Sequence, residues 1–379
     1  VGAIFLEERL MNSKGILTLA LSVAGSTLLF GETPRLPPAP ASPPPLSVQA
    51  PLDPGYAALI ATCKTPPPGR GGRGPGGAGN RGGGRGPAPA QGERDVTVAA
   101  IPGVIAAGAK WTFVWQQVGN NGDGIVGTSD GGLLLAQNDS SAVLKLDSKG
   151  QPSVAYADTH TGGALSMSAK GNRTFVVERG LHQRIEQLTP QRKVFADTYN
   201  GEPIDCIGGV LNDIVADSKG GAYFTMGGLF YADPSGKITK YGENLTTNGV
   251  TLSPNEKVLY VTNGGSLAAF DVQPDGSLTN QREHAKFTAG GGDGGTIDSK
   301  GNIFVTTGAG VEVISPDGKN IGVIPTPRGV ITCAFGGKNK KTLFILARGA
   351  KDAEGNEVAN AAQVWTIPVI AQGYKGRAK

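Results

Sequence analysis

Six short turn elements punctuate the chain: SDGG at 129, AKGN at 169, SKGG at 218, PNEK at 254, SKGN at 299 and GGKN at 336. Counting back eight residues from Gly131, Gly171, Gly220, Glu256, Gly301 and Gly336 arrives at Asp123, Gly163, Asn212, Asn248, Asp293 and Arg328. Two carboxylates and two amide carbonyls are hard oxygen donors, and with waters they can complete the roughly six to eight positions that Ca²⁺ prefers. A single Asp or Asn before a strand ordinarily does turn chemistry, hydrogen-bonding its own backbone. Four of them at one register point instead to a shared site.

The elements that would position these residues follow from the spacing. The turns recur at intervals of roughly 35 to 50 residues, each between β-patterned segments, which is the period of four-stranded propeller blades. Six turns imply six blades. The innermost strand of each blade lines the central channel, so equivalent positions at its start form a ring around one mouth. The composition agrees: 60 Gly, 26 Pro and 6% aromatics describe a chain of many turns. The expected fold is therefore an all-β, six-bladed β-propeller over residues 93–379. Closure is expected from 96–100 pairing beside 363–369, since a ring of blades is best shut when both ends share a sheet.

Two regions precede that domain. Met11, Lys14 and the apolar run 16–30 have the layout of a signal peptide, assigned to residues 1–31, which predicts export to the periplasm or medium. The run is shorter than the roughly 20 residues of a membrane-spanning helix, so no permanent anchor is expected. Residues 32–92 form a Pro/Gly-rich linker: between 66 and 91 nearly every residue is Gly, Pro, Arg or Ala, a composition that predicts disorder. Within it, 53–62 has the pattern of a short helix. Arg70, Arg73, Arg81 and Arg85 lie in the glycine-rich tract, so the net charge of +4 says little about the folded part, and no nucleic-acid partner is assigned.

Other chemistry is poorly represented. His160, His182 and His284 have no metalloprotease spacing, and no serine sits in a nucleophile elbow. Three cysteines are an odd number for a disulfide framework; Cys333 reads as a core residue, and nothing in the sequence decides whether Cys63 and Cys206 pair.

Four segments carry a family resemblance: LNDIVADSKGGAYFT at 211–225, TNGVTLSPNEKVLYVTN at 247–263, GGDGGTIDSKGNIFVTT at 291–307 and CAFGGKNKKTLFI at 333–345. Together they resemble successive motifs of the gluconolactonases and senescence marker (regucalcin-like) proteins, over about residues 110–350. The resemblance implies a six-bladed propeller whose channel mouth holds one divalent cation, Ca²⁺ foremost, with Zn²⁺ or Mg²⁺ as alternatives. Asn212, Asn248 and Asp293 fall at three of the family's ligand positions. The fourth departs, because the family's Glu-Gly-Pro appears as Asp123, Gly124 and Ile125, a carboxylate shorter by one methylene. Val210 also stands where the animal members carry an arginine.

The implied activity is metal-assisted hydrolysis of a small lactone or ester, with Asp293 as the proton-transfer residue and Asn212 touching substrate as well as metal. Asp213 is expected to fix the loop, and Glu178 to pair with a nearby arginine. His160 is a candidate substrate contact or an ordinary loop histidine. Arg328 is a candidate partner for a sugar acid, or a salt bridge to Asp123 or Asp293. The rival readings are a non-catalytic propeller binding module and a hydrolase of another ester or of a phosphoester.

Overall fold

Short apolar segments rich in Val, Ile, Leu and Phe, separated by Asp- and Gly-containing turns, pair with their sequence neighbours as antiparallel meanders. The computed structural model describes residues 48–65, 67 and 92–379. The expected signal peptide and, within the expected linker, residues 32–47, 66 and 68–91 lie outside the described residues. Five consecutive four-stranded meanders occupy 122–156, 162–196, 214–241, 247–286 and 295–324, here blades 1 to 5. Blade 6 combines three strands from 330–368 with the strand Thr112–Val118, which pairs antiparallel with Glu357–Pro368. The fold is the expected six-bladed propeller.

The closing strand is not the expected one. Residues 96–100 form no strand; Val98 and Ile101 are buried against blades 5 and 6 instead. Arg94 N–H donates to the Pro327 carbonyl at 3.0 Å and the Trp111 indole to the Pro325 carbonyl at 2.8 Å. This stretch is consumed in packing over the junction of the two blades, and the β-branched and aromatic residues that follow it supply the edge.

The turns explain the repeat. The turn residue, four past the last paired residue of the inner strand, has a left-handed φ at Gly131, Gly220 and Gly301, a conformation glycine adopts without penalty; in blade 2 it is Asn172, one past Gly171, which shifts the ring position there by one residue. Glu256 adopts it too, at φ 56°, and its carboxylate is held by the Ser218 N–H and hydroxyl and by Arg377. In blade 6 the equivalent residue, four past the last paired residue Gly336, is Lys340 at φ 50°. Between blades, inner faces interdigitate: Tyr223 stacks on Tyr231 with centroids 4.4 Å apart in the layer toward blade 4, and Phe304 meets Phe335 edge-on between blades 5 and 6.

The predicted short helix is Tyr56–Ile60, and Cys63 is disulfide-bonded to Cys206, which ties 48–65 to the loop entering blade 3. Cys333 is a free, fully buried thiol in the blade 6 core. Among the described residues no helix is long and apolar enough to cross a membrane.

Candidate metal centre at the channel mouth

The innermost strands of blades 1, 2, 4 and 6 each carry a register shift near their start, at 122–125, 162–165, 247–250 and 330–332. Such bulges re-aim side chains and terminate pairing. The residue four before the last paired position of each inner strand is Asp123, Ala164, Asn212, Asn248, Asp293 or Thr332. All six line one recess, together with Gly124, Asp213, Gly294 and Ile331.

Glycine follows the ring residue in blades 1, 4 and 5 because the inner strands approach closely there. A Cβ on Gly124 would stand 2.5 Å from the Ala164 Cα, and one on Gly249 would stand 2.3 Å from the Asp293 carbonyl oxygen. Threonines on the second strands stitch neighbouring blades: the Thr225 hydroxyl donates to the Asn248 carbonyl, and the Thr306 hydroxyl to the Ile331 carbonyl at 2.8 Å.

The structure thus brings Asp123, Asn212, Asn248 and Asp293 together, and Arg328 does not join them. Its fully buried guanidinium donates to both oxygens of Glu357, at 2.7 and 3.1 Å, in place of the salt bridge to Asp123 or Asp293. The cause is a register slip of four residues. The count assumed a glycine at the left-handed turn position, whereas Lys340 holds it, and counting from Lys340 gives Thr332. Blade 2 contributes Ala164 rather than Gly163. His160 is exposed in the loop before blade 2 and is not among the residues lining the recess. Partial enclosure of its ring by neighbouring chain and the nearby Arg184 keep its pKa below the usual histidine value.

Three cations missed from the sequence stand against the three carboxylates of the mouth. Arg179, almost wholly buried, pairs with Asp123 and donates from Nε to the Leu211 carbonyl and from Nη2 to the Asn212 carbonyl, both at 2.6 Å. One guanidinium therefore ties a blade 1 carboxylate to the blade 3 backbone that carries Asn212. Gly163 makes room for it: a Cβ there would lie 2.3 Å from Arg179 Nε. Arg348 Nη2 pairs with Asp293 Oδ2 at 3.1 Å, and Lys379 Nζ pairs with Asp213. Arg179 directly follows Glu178, the last residue of the second strand of blade 2. Glu178 itself pairs with Arg184 at 2.6 Å, as expected.

Asp213 accepts from the Ile214 N–H at 2.9 Å and from the Val250 N–H at 2.8 Å, so it fixes the loop and bridges blades 3 and 4. Enclosure in the recess pushes the Asp293 carboxyl up to about 6, with the Asp123 and Asp213 charges adding to the rise and Arg348 opposing it.

The donor set suits a hard divalent cation. Among the described residues, the Asn212 and Asn248 side chains make no hydrogen bond to protein, and Arg179 and Arg348 each pair with Oδ2 of a carboxylate that lines the recess. Oxygen-only donors favour Ca²⁺ or Mg²⁺ over Zn²⁺, whereas among the described residues no group of three or more His, Cys, Asp or Glu is placed to hold a metal ion. The two arginines offset much of the negative charge, which weakens the attraction for such an ion.

A six-bladed propeller with a ring of oxygen donors at one mouth defines a class, and sequence comparison narrows it. Residues 157–348 match the SMP-30/gluconolactonase/LRE-like region. The chain is 30% identical over 299 residues to lactonase drp35 of Staphylococcus haemolyticus, covering 69% of this chain and 88% of that one. It is 28% identical over 197 residues to a gluconolactonase of Zymomonas mobilis, covering 43% of this chain and 54% of the relative, so that match spans about half the relative's length. The chain belongs to the SMP-30/gluconolactonase/LRE-like family. Solved structures agree on the fold: a gluconolactonase of Xanthomonas campestris superposes with a TM-score of 0.61 at 21% identity, over 75% of this chain and 99% of that one. The calcium-binding protein regucalcin of Agrobacterium tumefaciens superposes with a TM-score of 0.54 at 16% identity, over 66% and 91%.

Proposed function

We propose that the protein is a lactone hydrolase that opens a sugar lactone or related small cyclic ester at the channel mouth, using a divalent cation held by Asp123, Asn212, Asn248 and Asp293. The observation that carries this reading is the convergence of four oxygen donors from four blades at one register, with both amide side chains uncommitted to protein. Relatives named gluconolactonase and lactonase support the substrate class, and the calcium-binding neighbour supports a hard cation.

When bound, the cation supplies Lewis-acid polarisation of the lactone carbonyl. Asp293, whose carboxyl enclosure raises to about 6 in the metal-free protein, accepts a proton from the water that attacks the carbonyl carbon. The ring C–O bond then breaks, the alkoxide takes up the proton, and a hydroxy acid leaves. Asn212 orients the substrate through its amide, and Arg179 holds Asn212 and Asp123 at their spacing.

The pairing of Asp123 with Arg179 favours a second reading, a binding module that keeps the propeller without the reaction. Metal content measured together with a panel of lactones separates the two. Stoichiometric Ca²⁺ with turnover supports the hydrolase, and a metal-free protein inactive on every lactone and ester rejects it. Export is supported by the Cys63–Cys206 bond, since disulfides persist in oxidising compartments.

A further inference from the structure

Behind the recess the channel is filled by the chain itself. Arg377–Ala378 adds a fifth strand to blade 2 on its channel side, pairing with Ser168 and Met167. The buried Arg377 donates to the Leu252 carbonyl at 2.7 Å and to Glu256 at 3.0 Å, tying the segment to blade 4. Lys340 of blade 6 donates to the Tyr374 and Arg377 carbonyls, and Thr296 of blade 5 to the Lys379 carbonyl. The segment 374–379 is thus anchored to four blades, and it delivers one buried ammonium, Lys379 Nζ, to Asp213.

Asp213 follows Asn212 directly, and the Val250 N–H it accepts lies two residues after Asn248. The Asp213 carboxylate therefore sets the separation of the two amide donors, and its counter-charge arrives from a segment more than a hundred residues away in sequence. We propose that Lys379 is a positioning residue for the channel-mouth site, acting through the Asp213 bridge that spaces Asn212 from Asn248. An unpaired carboxylate this enclosed would draw water or turn away from the Val250 N–H, loosening both strand starts. The proposal rests on the lactonase reading only for its consequence on turnover; the bridge is testable without it.

The test compares Lys379→Met, Asp213→Asn, the double variant and, as a control, the exposed Lys375→Met. The amide that Asp213→Asn introduces keeps one acceptor oxygen, enough for the Val250 N–H that bridges the two blades at the cost of the Ile214 N–H, and needs no counter-charge. Hydrogen exchange of peptides spanning 211–216 and 247–252 should therefore quicken by about tenfold or more in Lys379→Met, and the double variant should return to within about threefold of the parent, a coupling typical of contacting residues. The kcat on the best lactone should follow the same pattern, with KM moving less, and Lys375→Met should match the parent. Exchange that rises evenly through all blades, or that Asp213→Asn fails to rescue, would reduce Lys379 to a channel filler and overturn the proposal. Parent-like turnover in Lys379→Met would overturn it as well. If the parent opens no lactone, the proposed activity fails while the exchange pattern still decides this one.

Discussion

At the scale of single residues, Asp293 carries the most weight, because repeat spacing and family motif selected it separately and the structure sets it beside the other donors. Asp293→Asn keeps the shape and removes the proton acceptor, so turnover should fall by at least about 10²-fold and excess metal should not restore it. Loss after Asn248→Ala should be recovered by excess metal, because that residue offers only a ligand. Full activity in Asp293→Asn would sink the mechanism. The same carboxyl gives a pH dependence. In the metal-free protein it titrates at about 6, so a cation must displace its proton below that pH and meets a ready carboxylate above it. Ca²⁺ affinity measured by calorimetry should be flat from pH 7 to 8 and should fall by about tenfold per pH unit once well below 6.

At the scale of elements, the inner strands are spaced by missing side chains. Gly249→Ala puts a methyl against the Asp293 carbonyl, and the inner strands of blades 4 and 5 must part to admit it. A stability loss of about 1–3 kcal/mol is expected from overpacking, together with weaker Ca²⁺ binding, as Asn248 and Asp293 separate. Thermal melts and calorimetry on one preparation check both. Blade 2 makes a second prediction. Burial and the neighbouring Glu186 push the Glu178 carboxyl up to about 8, against the attraction of Arg184. The folded protein then keeps a proton that the unfolded chain releases near the ordinary glutamate value. The stabilisation is complete below about 4.5 and is lost as pH rises through about 8. Glu178→Gln, which cannot ionise, should gain in Tm relative to the parent between pH 6 and 9; a constant difference would show that Glu178 is ionised throughout.

At the scale of the whole molecule, the ring was legible because a propeller repeats one local pattern, and turn glycines mark its phase. Four blades could be aligned by counting because a glycine or the held Glu256 marks the left-handed position. Blade 6 failed because Lys340 takes that position without a glycine, and an error of four residues in the count put Arg328 where Thr332 stands. Arg179, Arg348 and Lys379 were hidden for a different reason. Their partners lie in other blades, and local spacing carries no record of contacts made only when the ring closes. The closing strand misled because 96–100 and 112–118 are both rich in β-formers, and only packing against blades 5 and 6 separates them. The Cys63–Cys206 bond joins positions 143 apart. Its removal by paired serine substitution should cost on the order of 3–5 kcal/mol on the chain-entropy account, read as a lower Tm that added reductant does not depress further. The bond also governs how the polypeptide can mature. A protease that cuts anywhere between 66 and 91 leaves the leading piece covalently attached, so the nicked protein should migrate as one species on a non-reducing gel and as two after reduction. Release of the piece ahead of the cut would therefore take two chemical events, a hydrolysis and a reduction, and in an oxidising compartment the second would be withheld.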